Sequence, residues 1–570
     1  MRFTNLDNRT HLTFFAMLLF LSFSFYLACS SGGGSKPEAE TAVLPSAAVP
    51  ITISPVVPSD IDITGGAPNA TLSQAAVFAW QEFIALNWPA LPGQRDVPNT
   101  NALFGAPNEK VLVWHTFRHK VEIFPGNGQP PHGASQGPPD YGYNTPPQYF
   151  YDPSQTGTSD GQVAPCGTPS TSTPWINLDE VNEIGVANMF SGGAPANPFP
   201  GQQILFLAKA NKAEYVYATQ NGWNIKLNPT AAANTKSYIQ QNSNTPPPGT
   251  PGLVSLPYGT IEAKTGWRRL TDKEKQSGRF FSTTVRYYQT NPSTQKPCYV
   301  DETFGMVALH IIQKTPTAPY FIFASFEQAD NLLTTSGSPV EDSDGNVIAN
   351  NNLLPLNPYF KVTNATPTTP QTFSPTTANS TPGSSLYYQN TPGEGLPTGT
   401  VTINKRLHPI PPEVIAANQA AHQAIAAYNK QNGINSPWPF YKLVNVQYQP
   451  IQKTPGVNYT GVDSATYYMA NSVVESDYIL QKFSGTFSSQ NLTITDYNAN
   501  GTVAYNAYHN GKFLMGGCMG CHGNATNAGS DYSFILKNGA VDAPEVASPP
   551  GQTLNINSKK LKSFLELFQK

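Results

Sequence analysis

The chain has 570 residues, of which only 12% are charged, and 33 Lys and Arg against 36 Asp and Glu give a formal net charge of -3. That balance excludes the basic footprint of a nucleic-acid-binding protein, and the length predicts roughly two to four domains. With so few charges, the 53 Pro, 45 Gly and 27 Tyr point to a loop-rich, β-containing protein of the cell exterior.

Arg2 and Arg9 precede an apolar run from Leu12 to Leu27 that ends in Ala28-Cys29-Ser30, which reads as an export signal over residues 1–28. The run falls short of the roughly 20 apolar residues a membrane-spanning helix needs. A Cys directly after a small residue resembles the bacterial lipobox, with Tyr26 standing where an aliphatic residue is usual. Cys29 is therefore expected to carry lipid and to anchor the chain to a membrane, in the periplasm or at the cell surface, with the outer membrane as the expected location; the alternative is a conventionally cleaved signal or an uncleaved anchor.

Residues 29–70 are small and Pro-rich and are expected to form a flexible tether. Order is expected to begin at Thr71, where Thr71 and Gln74 fit a capping box ahead of LSQAAVFAWQEFIALNW, with Pro89 as the stop. Val77, Trp80, Phe83, Ile84 and Leu86 lie on more than one face, so this helix should be core.

Between 110 and 326 the strong segments are short, β-branched or aromatic: VLVWHTF, QILFLA, TIEAKTGW, RFFSTTVRYY, MVALHII and YFIFASF. They predict strands, with Met306 to Thr315 and Tyr320 to Phe326 forming a hairpin. Residues 129–148, 245–257 and 363–398 read as surface loops. A second helix is expected from Pro412 to just before Gly433, buried along Val414, Ala417, Ala421, Ile425 and Tyr428, followed by a strand from Tyr441 to Gln449. Helices are also predicted over 463–483 and 558–568.

Cys518-Met519-Gly520-Cys521-His522 has the spacing with which two thiols meet two haem vinyl groups while the adjoining histidine reaches the iron. It predicts one covalent haem c on Cys518 and Cys521 with His522 as proximal ligand; a thiol redox pair or a metal site are the other readings. If Cys29 holds lipid and the motif holds haem, Cys166 and Cys298 remain as one pair. They are expected to form a disulfide in an oxidising compartment, the alternative being two buried thiols.

Residues 523–570 contain no Met, His or Cys, so the usual downstream sixth iron ligand is missing. Either an upstream residue closes the iron or the sixth position is open, and the two cases imply different chemistry. Met469 precedes the motif by a span long enough to fold back over it, and His310 sits in the apolar segment MVALHII; each also reads as an ordinary core residue. Tyr532 and Phe534 are placed to cover the porphyrin edge, or simply to pack. Glu262 with Lys264, and Arg268 with Arg269, are candidates for propionates or another anion. No GxxxxGK phosphate loop is present.

FIALNWPA (83–90), IEAKTGWRRL (261–270), LHIIQKT (309–315), FASFEQADN (323–331), MANSVVES (469–476) and CMGCHGNATNAGSDYSFIL (518–536) together resemble a family of bacterial cytochrome c family proteins. The resemblance implies one haem and an exported location, and only the CxxCH residues carry over as functional. The expected class is α+β: a large, β-rich, loop-rich domain with buried helices over 71–454, and a cytochrome c-like haem-binding region over 455–570. The first expected role is electron transfer with a redox partner protein. The alternatives are a haem enzyme or sensor for a small ligand such as peroxide or oxygen, and a surface binding module with an accessory haem.

Overall fold

The computed structural model describes residues 50–107, 110–128, 141, 146–181, 189–192, 203–242, 245–270, 272–331, 341–347, 385–388, 399–401, 409–449, 469, 471–474 and 517–547. The export segment, Cys29 and the predicted helix over 558–568 lie outside them.

Helix α1 (Leu72–Leu86) starts as the sequence predicts: the Gln74 amide donates to Thr71 Oγ1 and the Thr71 amide to Gln74 Oε1, at 3.3 and 2.9 Å. Its apolar residues are buried on several sides. Two helices with polar sequences follow, α2 (Lys212–Gln220) and α3 (Pro229–Asn242). Helix α4 (Pro412–Asn432) starts at a Pro and stops where Gly433 turns left-handed at φ 63°.

Twelve strands are described: β1 (Arg118–His119), β2 (Ala164–Pro165), β3 (Ile176–Leu178), β4 (Met189–Gly192), β5 (Leu205–Ala210), β6 (Ile261–Arg269), β7 (Ser282–Thr290), β8 (Pro297–Gln313), β9 (Ile322–Gln328), β10 (Ser385–Tyr388), β11 (Gly399–Val401) and β12 (Tyr441–Gln447). Nine of them make one mixed sheet with the path β1-β5-β6-β8-β7-β3, to which β9, β12 and β2 are added. The long strand β8 organises it: its first half pairs with β7 and its second half with β9 along one edge, while β6 occupies the opposite edge. The class is α+β. The expected hairpin is the antiparallel pair β8 and β9.

The two faces of this sheet differ. Register places Leu309 opposite Phe326, and Trp80 and Phe83 of α1 reach the Phe326 ring at 5.2 and 4.5 Å, so this face is apolar. Trp80 Nε1 donates to Asn418 Oδ1 of α4 at 2.8 Å, locking the two covering helices together. The other face carries a polar row, because the same registers align Lys264 of β6, His310 of β8 and Ser325 of β9.

Several expectations are corrected. Residues 50–70 are not all tether: Ile51, Ile61, Ala67 and Ala70 are buried, and Asp60 accepts hydrogen bonds from Thr315 and Thr317. In VLVWHTF, Val113–Thr116 form a 3-10 turn rather than a strand, because His115 Nδ1 accepts from the Leu112 amide and Thr116 Oγ1 bonds back to the Val113 carbonyl. The presumed loop 363–398 contains β10, paired with β4 and β11. Within the predicted helix over 463–483, the described residues 472–474 form a turn. The boundary near 455 does not separate two cores: Met469, Met519, Tyr532 and Leu536 share one continuous apolar core with the sheet and α1.

Cys166 and Cys298 are bonded, with their Cα atoms 4.9 Å apart. The parallel pairing of β2 with β8 places them together, Ala164 lying opposite Cys298.

Candidate functional site

Helix α5 (Gly517–Asn527) carries Cys518, Cys521 and His522, and the four-residue spacing sets Cys518 and His522 one above the other on one side. Helix α6 (Phe534–Asn538) follows after a tight turn and is capped by Ser533, whose Oγ accepts from the Leu536 amide at 3.0 Å. Met519 is fully buried, and its amide donates to Gln447 Oε1 of β12 at 2.9 Å. Gln447 lies opposite Phe323 of β9, which is two residues from Ser325 and so on the same face. Helix α5 therefore covers the polar face of the sheet.

His522 is half-buried, and its Nδ1 lies 2.7 Å from the Tyr532 carbonyl oxygen. A carbonyl only accepts, so Nδ1 carries the proton and Nε2 keeps its lone pair. Phe323 and Phe534 flank the imidazole with ring centroids at 4.9 and 5.0 Å. Burial holds the His522 pKa down to about 4, helped by the Lys264 charge and opposed by the bond to Tyr532. The ring is neutral at neutral pH, the form in which an imidazole binds a metal.

His310 occupies the same face of the sheet, and its pKa is pushed down to about 3 by burial, by Lys264 and by His522. His310 lies opposite Ser325, two residues from the Phe323 ring that His522 packs against. Met469 is buried beside a segment fastened over β9, where Asn471 Nδ2 donates to the Phe326 carbonyl and the Ser472 amide to Glu327 Oε2, each at 2.9 Å. Tyr532 is fully buried and acts through its backbone, whereas Phe534 meets His522 edge-on.

The charged residues of this region are matched within the chain. Lys264 pairs with Glu180 at 2.9 Å, and Glu180 also meets Lys120, which reaches Asp179 at 3.3 Å. Lys442 lies 2.7 Å from Glu341 and 3.6 Å from Glu327. Arg268 forks onto Glu274 and Arg269 meets Glu302, so both are engaged structurally. Ser533 Oγ donates to Glu214 Oε1 at 3.2 Å; Glu214 also bonds Glu262, whose pKa burial raises to about 7. Burial raises the pKa of both carboxyls. Sequence reasoning missed this pair, because Glu214 and Glu262 belong to different elements.

Two motif-like spacings turn out to be structural. His115 and His119 are four residues apart, yet each uses Nδ1 to accept a nearby backbone amide. Gly157 to Gly161 spells GxSxG, but Ser159 is exposed on a turn after a one-turn helix. Among the described residues no group of three or more His, Cys, Asp and Glu side chains is arranged to hold a bare metal ion, and no helix is long and apolar enough to cross a membrane. No family model, curated protein or solved structure matches the chain.

Proposed function

We propose that the protein is an exported lipoprotein that holds one haem c on Cys518 and Cys521, with His522 as the proximal iron ligand, and that it passes electrons to a partner protein. The observation that carries the reading is the hydrogen bond from His522 Nδ1 to the Tyr532 carbonyl, which aims an unprotonated Nε2 away from the turn. A proximal histidine needs this arrangement: one ring nitrogen anchored to a fixed acceptor, the other free for iron. Attachment adds each thiol S–H across a vinyl double bond, so no atom leaves. When bound, the group supplies a one-electron iron couple. The chain's own residues orient the imidazole through Tyr532 and crowd water from it with Phe323 and Phe534. The half-exposed Cys518 and His522 suit exchange of electrons with a partner better than a sealed structural group would. The Cys166–Cys298 bond agrees with an oxidising compartment.

A second reading, a haem enzyme or sensor, draws on His310, which lies on the sheet face that α5 covers: a neutral imidazole there could ligate the iron or hydrogen-bond a small ligand.

The test is a pyridine haemochrome spectrum after acid-acetone extraction, with Cys518→Ser, Cys521→Ser as the control. We expect haem to stay with the wild-type chain and to be extracted from the variant; absence of covalent haem overturns the proposal. A low-spin spectrum indifferent to cyanide and carbon monoxide supports electron transfer, and its change in His310→Ala or Met469→Ala names the sixth ligand. A high-spin spectrum that shifts with either ligand supports the second reading.

A further inference from the structure

The turn between α5 and α6 is built around a backbone that side chains ordinarily avoid. Asp531 and Tyr532 both adopt left-handed conformations, at φ 51° and 62°. For a bulky aromatic residue this is a strained state that persists only when its surroundings impose it. The conformation turns the Tyr532 carbonyl back onto α5, where it meets His522 Nδ1.

One buried contact reaches this turn from the far end of the sheet. Lys314 follows directly on β8, is fully buried, and places Nζ 2.6 Å from Asp531 Oδ2. The same carboxylate oxygen accepts the Leu256 amide at 2.6 Å, and Lys314 Nζ lies 3.2 Å from Ser255 Oγ. The clamp therefore joins β8, the 253–257 loop and the turn. A buried ion pair contributes little net stability compared with apolar side chains of the same size, so its best-attested use is to fix one arrangement.

We propose that Lys314 is a positioning residue for His522: through its ion pair with Asp531 it holds the left-handed turn whose Tyr532 carbonyl keeps the imidazole in the Nδ1-protonated tautomer, with Nε2 free. Its purpose rests on the reading of His522 as an iron ligand, but the tautomer is a property of the chain itself. Tyr532 acts through its carbonyl and no side-chain substitution removes it, so Lys314 and Asp531 are the accessible handles.

The experiment uses the full chain carrying isotope-labelled histidine, with His522→Gln to assign the His522 ring and proton–nitrogen correlations to show which ring nitrogen is protonated. In haem-free wild-type protein His522 should show the Nδ1-protonated form alone. Lys314→Met and the isosteric Asp531→Asn should each introduce an Nε2-protonated population, while Lys314→Arg should retain the wild-type pattern. An unaltered tautomer in folded Asp531→Asn overturns the proposal, as does a mixture already present in the wild type. Asp531→Asn serves if Lys314→Met fails to fold. In haem-loaded chain the same two variants should shift the reduction potential at unchanged haem content. Loss of the haem reading would show as a negative haemochrome assay with the tautomer effect intact, so the two failures are distinguishable.

Discussion

Glu82 sits in α1 with its side chain fully buried and, among the described residues, with no hydrogen-bond partner for either carboxylate oxygen. Desolvation raises its pKa well above the usual carboxyl range, so the folded protein holds it protonated. The unfolded chain ionises it near the ordinary value. Its stabilising contribution is therefore complete below that value and is lost as pH rises toward the folded pKa. Glu82→Gln should raise stability at pH 8 by about 1–3 kcal/mol and change it far less at pH 4; thermal melts across that range would show the gap opening with pH, and a constant gap would refute the assignment. Such a residue was invisible in LSQAAVFAWQEFIALNW, where a glutamate on a helix reads as a solvent-facing position. The CxxCH motif lies at the other extreme, since Cys518, Cys521 and His522 fall within one short segment and their spacing alone carries the haem reading we propose. What spacing did not disclose is the partner of His522 Nδ1, because a backbone carbonyl has no sequence signature.

Secondary-structure elements were legible where end signals and burial agreed. Helices α1 and α4 follow their caps, and removing one has a defined cost. Thr71→Ala should lose about 1 kcal/mol, measured by urea unfolding, because the Gln74 amide would lose its side-chain acceptor. Gly433→Ala should cost a similar amount, roughly 1 kcal/mol; there is open space for the added methyl, so left-handed backbone strain at φ 63° is the whole cause. Helices α2 and α3 went unnoticed because polar runs such as PTAAANTKSYIQQN show no apolar stripe. The opposite error occurred at Val113–Thr116: its β-branched and aromatic residues report burial, which a 3-10 turn achieves as well as a strand does.

At the scale of the whole molecule, a large core links elements far apart in sequence, and the disulfide joins residues 132 positions apart. Cys166→Ser, Cys298→Ser should destabilise the fold by up to about 5 kcal/mol through added freedom in the unfolded chain. Melts of the wild type and the variant, with and without reductant, would check this: reductant should lower only the wild type. The sequence alone determined what is local, namely the capped helices and the β8–β9 hairpin, because adjacent residues carry those signals; the export and haem-attachment readings that we propose are local in the same way. Even the cysteine pairing was reached only by elimination. The tertiary structure decided the rest: the large core shared by residues on both sides of position 455, the polar sheet face beneath α5, and the Lys314–Asp531 clamp joining residues 217 positions apart. Those features depend on strand register and on polar groups that must find partners once water is removed, and no short window of sequence encodes which partner that will be.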